Sequence, residues 1–261
     1  MPSVPHMPTL RVVPLERIRP HEQVDPLRVD RLAGRIGQEG SQLNPVVCTK
    51  GSDGDFVLLD GATRTAALNS LGLHFVVVQV VEPDAVILET WHHVVREADP
   101  PDVTESIFSR NDLRMASDEG APRVWTPDGE RTSIYGEGVS PNGALSSLVA
   151  SYIGRWRVNR VAEAEPEAVV WRFPDWAALI EFPSLTVEDV AKAALGDDLL
   201  PAGITRFIVP YRALRLSFDL SGLRSPGSAD AKQARLDQLL EERARQGRIR
   251  RYEEPVVILD D

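Results

Sequence analysis

The apolar positions in roughly the first 80 residues alternate between short continuous runs and one-sided stripes. A short apolar run bounded by turn residues is typical of a strand, and a stripe with a spacing of three to four residues is typical of a helix. Runs occur at LRVVPLERI (10–18), NPVVCT (44–49), DFVLLD (55–60) and FVVVQVV (75–81), and stripes at HEQVDPLRVDRLAGRIGQEG (21–40) and TRTAALNSLG (63–72). The order strand, helix, strand, strand, helix, strand predicts a compact α+β unit.

The pattern is less regular after this unit. DAVILETWHHVV (84–95) is predicted to form a helix, and residues 97–140 are predicted to form loops with short strands at PRVWT and RTSIYG. Further helices are predicted at GALSSLVASYIG, DWAALIEF, VEDVAKAALG and SADAKQARLDQLLEERARQG, and further strands at EAVVWRF, RFIVP, LRLSFDL and EEPVVILDD. Ser228 is the expected N-cap of the last helix, because a serine hydroxyl can accept from a free backbone N–H there.

The composition is that of an ordinary globular protein, with 43% hydrophobic and 26% charged residues among 261. The net charge of -10 argues against a protein whose main task is to bind nucleic acid. Cys48 is the only cysteine, so no internal disulfide forms, and this fits a reducing, cytoplasmic compartment. The sequence predicts neither a signal peptide nor a membrane span.

The segment Asp60-Gly61-Ala62-Thr63-Arg64 stands where a predicted strand gives way to a predicted helix. Free N–H groups at a helix N-terminus attract phosphate, and an arginine nearby adds a charge-assisted contact. Asp60 would repel phosphate directly, so a divalent cation bridging the two explains it better. A simple turn followed by a helix has the same pattern, and the residues alone leave both interpretations open.

Three other stretches carry candidate functional residues. Glu22 follows His21 in a predicted loop, where a carboxylate can act as a general base or can simply be solvated. Thr205 and Arg206 follow a Pro-Ala-Gly turn, and the planar guanidinium suits a small carboxylate ligand as well as it suits a strand surface. Trp91 fits either a core position or a pocket wall. The absence of a His/Cys cluster argues against a structural zinc site.

These segments together resemble the ParB/sulfiredoxin-like domain over residues 9 to about 82. Within that superfamily the chain is most similar to the free L-serine kinases, including those associated with siderophore pathways. The "HE" followed by "PLR" resembles the entry loop of these kinases, and "TWHHVV", "VASYIG" and "PAGITRF" resemble segments beyond the shared domain. Sulfiredoxin chemistry itself is not expected, because Ala62 stands where that chemistry needs a cysteine.

The resemblance implies a role for each matching position. Glu22 matches the proposed catalytic base, and Asp60 matches the aspartate at the metal and phosphate site. The nucleotide- and phosphate-binding residues implied are Gly61, Ala62, Thr63 and Arg64, and those near the serine substrate are Trp91, Thr205 and Arg206. The family motif usually reads Asp-Gly-x-His-Arg, so Thr63 replaces a histidine. Threonine can donate a hydrogen bond to phosphate but carries no positive charge.

The resemblance also implies substrates and an organisation. The expected substrates are free L-serine and ATP or ADP with Mg²⁺, and the product O-phospho-L-serine would enter a siderophore or other amino-acid-derived pathway. We predict a flexible tail at residues 1–8, a nucleotide-binding domain at 9–96, and an α/β region at 97–261 that contributes to the serine site. Two alternatives remain: a ParB-like nucleotide-dependent DNA-binding protein, and a regulatory module that has the fold without the chemistry.

Overall fold

The computed structural model describes residues 7–116, 120–196, 198–225 and 227–252. The chain divides into two compact units, which we call the first and second units. The first unit comprises residues 1–18, 26–85 and 209–261, and the second comprises residues 19–25 and 86–208. The division therefore does not follow the predicted bounds 9–96 and 97–261, because the C-terminal segment returns to the first unit.

The first unit contains most of the elements predicted from the N-terminal pattern. Its strands are β1 (Thr9–Pro14), β3 (Ser41–Gln42), β4 (Val46–Lys50), β5 (Phe56–Asp60), β6 (Phe75–Val80) and β15 (Phe218–Asp219), and β2 (Ile18–Pro20) is where the chain leaves the unit. Its α-helices are α1 (Pro26–Glu39), α2 (Ala62–Ser70), α7 (Leu220–Arg224) and α8 (Ala229–Arg245). The predicted cap of α8 is confirmed, since the Ser228 side chain accepts from the Ala231 N–H at 3.2 Å.

A mixed sheet forms the centre of the first unit. β6 pairs antiparallel with β1 and parallel with β4, and β4 pairs antiparallel with β5. Val76, Val77 and Val78 of β6 are fully buried, which explains the uninterrupted apolar run in this central strand. The sheet orders β5 so that Asp60 ends a rigid strand directly before α2.

The second unit is built on a longer antiparallel sheet. Its strands are β7 (Ile87–Thr90), β8 (His92–Arg96), β9 (Leu113–Ala116), β10 (Arg123–Trp125), β11 (Arg131–Gly136), β12 (Arg157–Val161), β13 (Trp176–Glu181) and β14 (Thr205–Ile208). Its helices are α3 (Pro100–Phe108), α4 (Pro141–Tyr152), α5 (Pro166–Arg172) and α6 (Val187–Leu195). The large sheet has the order β12-β8-β13-β10-β11-β9, and β14 pairs separately with β7.

Three secondary-structure predictions in the second unit are wrong. Residues 84–95 form β7 and β8 instead of a helix, and DWAALIEF contains strand β13 instead of a helix. β8 and β13 are short apolar runs buried on both faces, as the complete burial of Val94, Val95 and Leu179 shows, and periodicity cannot distinguish such runs from helices. EAVVWRF forms α5 instead of a strand, with Pro166 at its first position and Trp171 92% exposed.

The remaining predictions divide into three groups. The mixture of helices and strands is confirmed, as are the strands at PRVWT and RTSIYG and the helices α4 and α6. The pattern missed β3, α3, β9, β12 and α7, and LRLSFDL forms a strand only at Phe218–Asp219. The tail prediction for residues 1–6 and the strand prediction at 253–261 lie outside the described residues. None of the described helices is long and apolar enough to cross a bilayer.

Candidate functional site

The Asp-Gly motif of the first unit has the geometry of an anion site. Gly61 is the N-cap of α2 and has φ +102°, a left-handed conformation that strongly favours glycine. A Cβ at this position would stand 2.8 Å from Cγ1 of Val46, so a larger residue would also collide. Because the N-cap has no side chain, the backbone N–H groups of the first turn of α2 stay available to an anionic ligand.

Two arginines add positive charge to this helix terminus. Nη1 of Arg64 donates to the Pro45 carbonyl at 2.8 Å, which holds the side chain along the motif. Arg212 forms an ion pair with the Asp60 carboxylate. Burial lowers the pKa of Arg64, Asp60 opposes this effect, and the charge of Arg212 adds to it.

Arg212 was not identified from the sequence. It lies 152 positions along the chain from Asp60, and no local motif surrounds it. Its segment belongs to the first unit but follows, along the chain, the second unit, which ends at residue 208. Sequence patterning gives no signal for such a partner, because patterning reports only near neighbours along the chain.

The donor set around Asp60 fits only a weakly held cation. Within the described residues, no group of three or more His, Cys, Asp or Glu side chains is placed to hold a metal ion. Mg²⁺ is commonly bound by one or two carboxylates together with substrate phosphates and water. Asp60 is 43% exposed and can supply one such carboxylate. The residues therefore fit a Mg²⁺ that arrives with a nucleotide, and they do not fit a resident metal.

Glu22 is held in the second unit by the loop that precedes β14. The Gln23 N–H donates to the Leu200 carbonyl at 2.8 Å, and the Leu200 N–H donates to the His21 carbonyl at 2.9 Å. The Gly203 N–H donates to Oε2 of Glu22 at 2.9 Å. Both the backbone and the side chain of Glu22 are thus fixed by residues about 180 positions away in sequence.

Two of the predicted substrate residues, Thr205 and Arg206, lie on β14, and the third, Trp91, directly follows its partner strand β7. β14 pairs with β7, and in this register Arg206 stands opposite Glu89. Nη1 of Arg206 lies 2.9 Å from Oε2 of Glu89, and its guanidinium carbon lies 4.4 Å from the centre of the Trp91 ring. The guanidinium is therefore supported by one carboxylate and one aromatic face, which fixes its orientation.

Thr205 connects this strand pair to the Glu22 segment. Its hydroxyl Oγ1 lies 3.0 Å from Nε2 of the buried His21, the residue next to Glu22. The structure thus assembles four predicted residues within the second unit: Glu22, Trp91, Thr205 and Arg206. The supporting residues His21, Glu89 and Gly203 were not assigned roles, although His21 and Gly203 lie inside the motifs that drew attention to their neighbours.

No family model matches the chain. It is 26% identical over 225 residues to the ATP-dependent L-serine kinase SbnI of Staphylococcus aureus (strain NCTC 8325 / PS 47), covering 82% of this chain and 84% of that protein. The match extends through both units, well beyond the Asp-Gly motif.

Solved structures share the fold. A C-terminally truncated SbnI from Staphylococcus aureus superposes with a TM-score of 0.73 at 22% identity, covering 90% of this chain and 97% of that one. A free serine kinase in complex with AMP superposes with a TM-score of 0.71 at 16% identity, covering 85% and 98%. The resemblance to the free L-serine kinase family is therefore confirmed, in sequence by SbnI and in fold over most of the chain.

Proposed function

We propose that this protein is a nucleotide-dependent kinase that phosphorylates the hydroxyl of free L-serine to give O-phospho-L-serine. The similarity to an ATP-dependent L-serine kinase supports the reaction class. The observation that carries the proposal is the assembly of Glu22, Thr205, Arg206 and Trp91 within one unit, from segments far apart in sequence. An anion-binding helix terminus in the other unit supplies the second requirement of a kinase.

Glu22 is the proposed general base. Its Oε2 accepts a hydrogen bond from the Gly203 N–H, and a carboxylate has lone pairs on both oxygens with which to accept a further proton. In the reaction the serine Oγ forms a bond to the terminal phosphorus atom, and the bond from that atom to the bridging oxygen of the nucleotide breaks. The hydroxyl proton passes to Glu22, and ATP leaves as ADP, or ADP as AMP.

The serine ligand requires a cation for its carboxylate. Arg206 presents a planar guanidinium whose direction is fixed by Trp91 and Glu89, and such a fork pairs with a carboxylate through two parallel N–H bonds. Thr205 carries a hydroxyl one position earlier on the same strand. We therefore assign Arg206 to the serine carboxylate, Thr205 to an additional hydrogen bond, and Trp91 to the wall of the site.

The nucleotide phosphates are assigned to the motif of the first unit. Backbone N–H groups of Gly61, Ala62 and Thr63 are available to phosphate oxygens, with Arg64 beside them. Asp60 would hold the Mg²⁺ that neutralises charge on the phosphates, once its pairing with Arg212 is shared or released. We place the reaction in the cytoplasm, where free serine, nucleotide and Mg²⁺ are present together. The product would supply a pathway that consumes O-phosphoserine, such as siderophore synthesis.

The test is direct. The purified protein is incubated with L-serine, Mg²⁺ and either ATP or ADP, and O-phosphoserine is measured by mass spectrometry. Glu22→Gln should lower turnover by at least about 100-fold, because a positioned general base contributes roughly 10²–10⁴-fold. Glu163→Gln, the same chemical change at an exposed position of the same unit, should have no effect.

The outcomes separate the candidate functions. Product with ATP only, or with ADP only, identifies the donor. If the Gln variant keeps more than about a tenth of wild-type turnover, the base has been assigned to the wrong residue. No product with either nucleotide, together with nucleotide-dependent retention on DNA, would replace the kinase by the ParB-like alternative.

A further inference from the structure

A buried histidine in the second unit is bonded through both of its ring nitrogens. His93 of β8 is 1% exposed, with Nδ1 2.8 Å from the Tyr152 hydroxyl and Nε2 3.3 Å from the Gly203 carbonyl. The carbonyl can only accept, so Nε2 carries the proton. Burial, as the main cause, lowers the pKa of His93 to about 4, so the ring is neutral near pH 7 and Nδ1 accepts from Tyr152.

Gly203 links this histidine to Glu22. Its carbonyl accepts from His93, while its N–H donates to Oε2 of Glu22 at 2.9 Å. The residue has φ +85°, a left-handed conformation that favours glycine, and a Cβ there would require the Arg160 guanidinium to move. The two peptide groups that flank Gly203 are therefore held in one orientation, on one side by the histidine and on the other by the glutamate.

We propose that His93, oriented by Tyr152, is a positioning residue for catalysis: it fixes the Gly203 backbone that in turn orients the carboxylate of Glu22. The inference rests on the proposed function, because it takes Glu22 as the base. The three hydrogen bonds run in one direction, from Tyr152 O–H to His93, from His93 to Gly203, and from the Gly203 N–H to Glu22. Polarisation through the imidazole ring strengthens the first two bonds, and the third, made by the preceding peptide group, depends on the orientation of the Gly203 backbone.

The alternative is that His93 and Tyr152 only complete the core. Most of the core of this unit is apolar, and an apolar pair of similar size would avoid the desolvation of two polar groups. A structural role and a positioning role predict different kinetics. Positioning acts on the reacting geometry, so it changes kcat, whereas a loss of packing changes the free energy of unfolding.

The first experiment compares His93→Phe, His93→Gln and Tyr152→Phe in O-phosphoserine formation. His93→Phe should lower kcat by at least about tenfold with each KM within about twofold, since small displacements of a reacting group are costly. His93→Gln should recover much of the loss, because its amide can donate to the Gly203 carbonyl. His92→Phe is the control, because it removes a neighbouring histidine of β8 that accepts from the Phe182 N–H at 3.1 Å. It should leave kcat unchanged.

The second experiment tests whether His93 acts through Glu22. In a Glu22→Gln background the His93→Phe change should have no further effect on residual turnover, because the group it positions has already been removed. An additional tenfold loss in that background would overturn the proposal, as would a wild-type kcat in His93→Phe. If His93→Phe does not fold, Tyr152→Phe takes its place in the same cycle, because it removes the hydroxyl that orients His93. An inactive wild-type protein would instead reject the proposed kinase function.

Discussion

Arg206→Ala tests the substrate site most sharply, because the structure separates two roles that this arginine can have. Arg206 forms a cross-strand ion pair with Glu89 and lies over the ring of Trp91. A purely structural arginine would affect stability when it is removed. An arginine that binds the serine carboxylate would affect the Michaelis constant for serine and leave that for the nucleotide unchanged.

The expected magnitudes differ for the two roles. The side chains of Arg206 and Glu89 are 33% and 40% exposed, so their ion pair contributes about 0.2–1 kcal/mol to the free energy of unfolding. A charge-assisted contact to a bound carboxylate contributes roughly 1.5–3 kcal/mol. Since 1.4 kcal/mol corresponds to about a factor of ten, the KM for serine should rise at least about tenfold. Arg206→Lys should recover only part of the loss.

Arg123→Ala provides a matched control. Arg123 forms a cross-strand pair with Glu181 at the same distance of 2.9 Å within the second unit. Its removal should lower the melting temperature by a similar amount and leave both Michaelis constants unchanged. The assay is steady-state kinetics with serine and nucleotide each varied, alongside thermal unfolding. Equal increases in both constants for Arg206→Ala would refute the assignment of this residue to serine.

Three further predictions concern the metal, the backbone and pH. Asp60→Asn should weaken the Mg²⁺ dependence of turnover, measured by Mg²⁺ titration, and an unchanged titration would move the cation elsewhere. Gly203→Ala should lower the free energy of unfolding by more than Gly154→Ala in urea titrations, because both have positive φ but only Gly203 faces the Arg160 guanidinium. The folded pKa of His93 is about 4, below its ordinary 6.5, so the unfolded chain takes up the proton first as pH falls. The contribution of His93 to the free energy of unfolding should therefore fall by up to about 3 kcal/mol as the pH is lowered from 6.5 to 4. In urea titrations at several pH values, His93→Gln should abolish this pH dependence.

Local signals in the sequence were sufficient for the Asp-Gly motif and for the last helix of the first unit. The run ending at Asp60, the obligatory Gly61 and the short helix after it are neighbours in sequence, so turn chemistry and periodicity locate the motif. The same holds for α8, where Ser228 caps a long polar helix. In these cases local preference and tertiary context agree.

The second unit was harder to predict, because its central strands β8 and β13 are buried on both faces. Residues 177–180 of β13 are completely buried, so no polar alternation marks them as a strand. The partners within the candidate sites were harder still. Gly203 meets Glu22 across 181 positions, and Arg212 meets Asp60 across 152. Contacts of this range depend on the packing of the whole chain, which no local pattern records.

The return of the C-terminal segment to the first unit has a consequence for synthesis. Gln233 of α8 accepts from the Val12 N–H at 2.8 Å and donates to the Leu10 carbonyl at 3.3 Å, which satisfies the open edge of β1. The ribosome makes residues 86–208 before this helix, a delay of roughly 6–25 s at typical bacterial and eukaryotic elongation rates. During that interval the edge of β1 is an unprotected strand edge, open to pairing with another nascent chain. All residues of the second unit, 19–25 and 86–208, are synthesised before α8, so this unit has its whole chain while the first unit still lacks its last helix.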